Sequence, residues 1–76
     1  MCEIPRVTGA EAVKAFEAAG FHVDRVSGSH RIMKKAGHRY TLSIPCHKGK
    51  TLGKGLLSKQ IEIAGLTVQQ FTDHLR

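Results

Sequence analysis

The sequence has no Trp, one Tyr and three Phe, so aromatic residues make up only 5% of its 76 positions. A core with so few rings must be assembled from aliphatic side chains. A chain this short buries only ~60% of its unfolded surface, so nearly every Val, Leu and Ile is committed to packing. Little remains to line an internal ligand pocket, which places function on the surface. Cysteine is equally scarce. Cys2 and Cys46 are too few for a disulfide framework and lack the CxxC spacing of a zinc or redox pair. No apolar run is long enough to span a bilayer, and the N-terminus has no stretch of signal-peptide length. A reducing cytoplasm is therefore the expected location. Apolar content of 41% still describes a folded chain, and the length fits one domain over residues 1–76.

Acids are missing where they would matter most. From Arg25 to Lys59 the chain carries nine Lys or Arg and no Asp or Glu, within a formal net charge of +6. A basic, acid-free middle is the footprint of a polyanion partner. Nucleic acid and an acidic protein both fit, and the two are compatible, because an inhibitor of a nucleic-acid enzyme can cover the same cationic surface. The missing carboxylates also count against a metal nuclease, which needs several of them around its ion. The five histidines show no HExxH or other ligand spacing. No metal and no cofactor are expected.

Along the chain, Thr8 and Glu11 have capping-box spacing and open a first helix. Its apolar stripe is Ala12, Val13, Phe16 and Ala19, and Gly20 ends it. Three strand-like runs follow: Phe21 to Ser27, His30 to Lys35 after a Ser27-Gly28-Ser29 turn, and Tyr40 to Cys46. In the last, Tyr40, Leu42 and Ile44 alternate with Thr41 and Ser43. Pro45 to Gly55 reads as a basic, glycine-bearing loop. A second helix carries Leu57, Ile61 and Ala64, with Leu56 and Ile63 flanking. A short third helix is capped by Thr67 with Gln70 at the matching box position, and Val68, Phe71 and Leu75 face inward. The order is α-β-β-β-α-α. Each amphipathic helix must bury its stripe on one face of the sheet, leaving the other face wet. Ile32 and Met33 are adjacent, so either register of the second strand sends one apolar side chain outward.

His30 is the first candidate for chemistry. It opens the second strand beside a glycine turn, which gives it solvent access and a fixed direction, and Arg31, Lys34 and Lys35 surround it in sequence. Histidine exchanges a proton near neutral pH. RNA cleavage needs that exchange, since a 2′-hydroxyl must lose a proton and the leaving 5′-oxygen must gain one. Nearby cations hold the phosphate and stabilise its developing charge. His47, beside Lys48 and Lys50, is a possible second acid–base group, phosphate contact or structural donor. Lys54 and Gly55 precede a helix start that favours anions, although the loop is no Walker A sequence. Read from the residues alone, a surface or strand-end histidine with no role is the favoured reading of His30. His22, His38 and His74 have nothing around them to set them apart.

Three stretches together resemble a known family: Gly28-Ser29-His30 entering the second strand; Ile44-Pro45-Cys46-His47-Lys48-Gly49-Lys50 leaving the third; and Gly55-Leu56-Leu57-Ser58-Lys59-Gln60-Ile61 running on to Ala64-Gly65-Leu66-Thr67. The chain resembles the HicA (YcfA-like) toxins. The resemblance implies an α+β fold like a double-stranded-RNA-binding domain, with a three-stranded antiparallel sheet and helices on one face. It implies a metal-independent messenger-RNA interferase, inhibited by a HicB-type antitoxin. It maps the catalytic histidine onto His30. Arg31, Lys34, Lys35, Lys48, Lys50 and Lys54 are then the expected RNA-binding cations, and a catalytic role for His47 does not follow. The rival reading is an RNA-binding module of the same fold without catalysis, gripping by shape and charge.

Overall fold

The computed structural model describes residues 4–47 and 49–75. Cys2 and Lys48 lie outside them. The order is α1 (Gly9–Ala18), β1 (His22–Ser27), β2 (His30–Lys34), β3 (Leu42–Pro45), α2 (Lys54–Ile63) and α3 (Val68–His74). The strands form one antiparallel sheet in the order β1-β2-β3. This is the α+β arrangement that the sequence pattern predicts, and it is consistent with a double-stranded-RNA-binding-domain-like fold.

Capping explains where two of the helices begin. The Thr8 hydroxyl accepts the Glu11 amide at 3.2 Å while the Glu11 carboxylate accepts the Thr8 amide at 3.0 Å. Thr67 and Gln70 repeat the exchange at α3. Each box satisfies two amides that a helix start leaves without partners. The start of α2 differs. Gly53 supplies no side-chain cap and the first turn holds no acid.

Alternation within β2 decides the question that Ile32 and Met33 leave open. Arg31 pairs with Ile44 and Met33 with Leu42. Ile44, Leu42 and Met33 are all fully buried. Residues opposite one another share a face, so Arg31 and Met33 lie on the helix side. His30, Ile32 and Lys34 lie on the open side, where Ile32 is only half-buried. The core under the helix side is centred on Phe16, whose ring meets Phe71 at 5.0 Å and Phe21 at 6.1 Å between centroids. Ala12 and Ala15, both fully buried, let α1 sit close to the sheet. Gly9 goes further. A Cβ there would collide with the Pro45 carbonyl oxygen and stand 2.8 Å from Cys46 Cα. Helix start and strand end meet with no room for a side chain.

One expectation needs correction. The third strand begins at Leu42, so Tyr40 belongs to the preceding loop and is 59% exposed. Its apparent alternation with Leu42 is real in sequence, but strand pairing stops where Met33 meets Leu42. Strand β1 is irregular as well. Its register shifts between Val23 and Arg25, and the intervening Asp24 reaches Lys34 Nζ at 3.6 Å.

The loop after β3 is tied at both ends. Cys46 donates its amide to the Ser29 carbonyl at 2.6 Å, and Leu52 donates to Val7 at 2.8 Å. Thr8 and Thr51 form an isolated antiparallel bridge.

Candidate active site

His30 stands where β2 leaves the Gly28 turn, exposed and opposite Ser27 and Pro45 on the open face of the sheet. No hydrogen bond or ion pair to its ring is formed by the described residues. It is fixed by strand geometry alone, so its imidazole can meet a ligand from solvent.

Arg31, one residue on, lies across the sheet. It lines a cleft of about 300 Å³ with Thr8, Ala10, Cys46, His47 and Gly49. A turn closes the far wall, where the Lys50 amide donates to the His47 carbonyl at 3.1 Å and Gly49 adopts a φ of +75°. That backbone conformation suits glycine and few other residues. His47 is therefore grouped with Arg31, while His30 is not among the described residues lining the cleft. The Cys46 thiol is half-buried in its wall and contacts the Ile44 carbonyl at 3.6 Å.

The other cations divide. Lys34 shares the open face with His30 but sits at the opposite end of β2, ~13 Å along the strand. Its pair with Asp24 is exposed, and such pairs contribute ~0–1 kcal/mol, so Lys34 can exchange that partner for another anion. Lys35 packs beside an aromatic ring. Its Nζ lies 5.6 Å from the centre of the Phe21 ring and its stem passes beside Gly20. Lys50 and Lys54 are exposed, and Lys54 opens α2. A cation at the positive end of a helix dipole, with no acid in the first turn, is electrostatically costly unless an anion joins it.

Three residues that the sequence reading passed over prove structural. His38, which that reading sets aside, accepts or donates at 2.7 Å to the Ile63 carbonyl and packs edge-on against Phe21 at 5.3 Å. It pins the β2–β3 loop to the end of α2. Gln60 is the buried polar residue of the core among the described residues, and its oxygen accepts the Ser43 amide at 3.2 Å. Gly9 is the third. Among the described residues, no group of three or more His, Cys, Asp or Glu is placed to hold a metal ion. No helix there is long and apolar enough to cross a membrane.

A family model described as the HicA toxin of bacterial toxin-antitoxin systems matches residues 9–66, well over half of the chain. The chain belongs to the HicA toxin family. No curated protein matches it closely. The HicA match opens at Gly9, the residue pressed against Pro45, and closes at Leu66, before α3. It spans the histidine turn, the basic loop and the described residues lining the cleft apart from Thr8. Membership in a toxin–antitoxin family brings an antitoxin partner with it.

Proposed function

We propose that this protein is a cytoplasmic, metal-independent endoribonuclease that cleaves messenger RNA as the toxin of its pair, with residues 1–76 acting as one domain. The observation that carries the reading is His30. It is an exposed histidine without a partner among the described residues, in the Gly28-Ser29-His30 turn of a HicA-family chain, on a surface whose sequence lacks acids from Arg25 to Lys59. In the reaction, a ribose 2′-oxygen bonds to the adjacent phosphorus and the bond from phosphorus to the 5′-oxygen breaks. His30 serves as the general acid or base at one of those two oxygens. Arg31, Lys34, Lys50 and Lys54 hold the RNA backbone, joined by Lys48, and offset the charge that develops on the phosphate. The place of Lys35 over Phe21 favours a supporting role for it. A HicB-type antitoxin inhibits by covering His30 and the cations around it.

The test is cleavage of a labelled messenger RNA by purified protein in excess EDTA, beside the His30→Ala variant. Cleavage that persists in EDTA and disappears in the variant is the expected result. Folded wild-type protein that binds RNA without cutting it would establish the binding-module reading instead. Loss of cleavage in EDTA alone would restore a metal to the mechanism.

A further inference from the structure

We infer that the cleft beside α1 is a phosphate subsite that seats one phosphodiester flanking the scissile one, with Arg31 and His47 as its ligands. This rests on the RNA-cleaving reading and deepens it, because it separates holding the strand from cutting it.

Four observations converge. First, the cleft brings together two cation-forming side chains from distant parts of the chain, Arg31 of β2 and His47 of the loop after β3. Among the described residues no carboxylate lines it, and Arg31 has no ion-pair partner there. The nearest acid in sequence to its α1 wall, Glu11, is folded back onto the Thr8 amide and hydroxyl at 3.0 and 3.2 Å. Second, the backbone on both sides of the cleft is anchored. Ser29 to Cys46, Val7 to Leu52 and the Thr8–Thr51 bridge hold it, and Gly9 lets α1 approach the Pro45–Cys46 backbone. Binding then orders chiefly the Arg31 and His47 side chains. Third, a volume of about 300 Å³ lies at the lower end of ligand clefts, enough for one sugar–phosphate unit and too small for an extended strand. Fourth, strand alternation puts Arg31 on the cleft side and His30 on the other. An RNA strand touching both must pass around the end of the sheet formed by Ser29 and Cys46. One backbone phosphate then lies in the cleft while a different one lies at His30.

The guanidinium suits a phosphate because its planar fork can donate two parallel hydrogen bonds, which a lysine cannot reproduce. The His47 imidazole can add a ring N–H as a further donor.

The experiment uses the full-length His30→Ala variant, which preserves the RNA during measurement, and its folding is checked by thermal denaturation. A short single-stranded RNA is titrated while the side-chain NMR signals of Arg31 and His47 are followed. A parallel titration uses the same sequence with neutral methylphosphonate linkages, and another uses inorganic phosphate with wild-type protein. Shifts at both side chains with RNA and with phosphate, absent with the neutral backbone, are expected. Adding Arg31→Ala or His47→Gln should weaken RNA binding by about tenfold. Arg31→Lys should keep the salt dependence while losing most of that affinity. RNA binding that leaves both signals unmoved would overturn the subsite and leave the RNA-cleaving reading standing. Equal shifts with the neutral strand would refute phosphate recognition. Shifts produced by an acidic peptide and not by RNA would assign the cleft to the antitoxin. Failure of RNA to bind anywhere would sink both readings together.

Discussion

The Gln60 side-chain oxygen accepts the Ser43 amide at 3.2 Å across the outer edge of β3. Edge strands present unpaired amides that invite another chain, and here one helix residue occupies that position from within the core. Replacing Gln60 by Leu keeps the bulk and strands the amide. The penalty for an unsatisfied, partly buried donor is ~1–3 kcal/mol. For a domain of this size, each kcal/mol lowers Tm by about 4–8 °C. Gln60→Leu should therefore melt several degrees lower by circular dichroism, and an unchanged Tm would mean that water serves the amide equally well.

Gly9→Ala sets two effects against each other. Alanine in a helix gains roughly 0.5–1 kcal/mol over glycine. The added methyl collides with the Pro45 and Cys46 backbone, and overpacking of that kind costs about 1–3 kcal/mol. Neither backbone segment can swing away, because Cys46 is bonded to Ser29. A lower urea midpoint is expected. A midpoint at or above wild type would show that α1 shifts freely along β3.

Histidines 30 and 38 should fail in opposite ways. His30→Ala removes an exposed ring with no hydrogen bond among the described residues, so Tm should move by less than about 0.5 kcal/mol equivalent while RNA cleavage and growth arrest disappear. His38→Ala loses the Ile63 bond and the Phe21 ring contact, a cost of about 1–2 kcal/mol, while cleavage per folded molecule stays near wild type. Thermal melts run beside cleavage assays at low temperature read both. A stable, inactive His38→Ala protein would reverse the assignment.

Salt should sort the lysines. Single-stranded RNA releases counterions in proportion to the phosphates contacted, with a slope of about −0.7 per contact in log K against log salt. Lys50→Ala and Lys54→Ala should each flatten the slope by roughly that amount. Lys35→Ala should leave the slope alone and lower stability by about 0.5–1 kcal/mol, because its ammonium sits over Phe21. A flattened slope for Lys35→Ala would return it to the RNA surface.

The contrast between these residues marks how far the sequence could be read. Helix starts were legible at Thr8 and Thr67 because a capping box is local, with both partners three residues apart. Strand identity was legible through alternation at Leu42 and Ile44. What was hidden depends on partners far along the chain. His38 meets Ile63, and Gly9 meets Pro45, and no local spacing announces either. Gln60 did leave a signal, since a polar residue stands within the stripe of Leu57, Ile61 and Ala64. Nearness in sequence does not group the cations in space. Arg31, Lys34 and Lys35 are neighbours in the chain, yet the pleat and the strand's length send them to a cleft, an open face and an aromatic ring.

The bond between Val7 and Leu52 and the contact between Phe16 and Phe71 also set a schedule. A nascent chain that has already exposed its histidine turn still has its second half inside the ribosome. Until residue 52 emerges, the loop bearing His47 lacks one of its anchors. Until Phe71 emerges, Phe16 lacks a ring to pack against. Such a chain cannot close its core early, so the cleft wall and the core are completed only once residues 52 and 71 have left the ribosome.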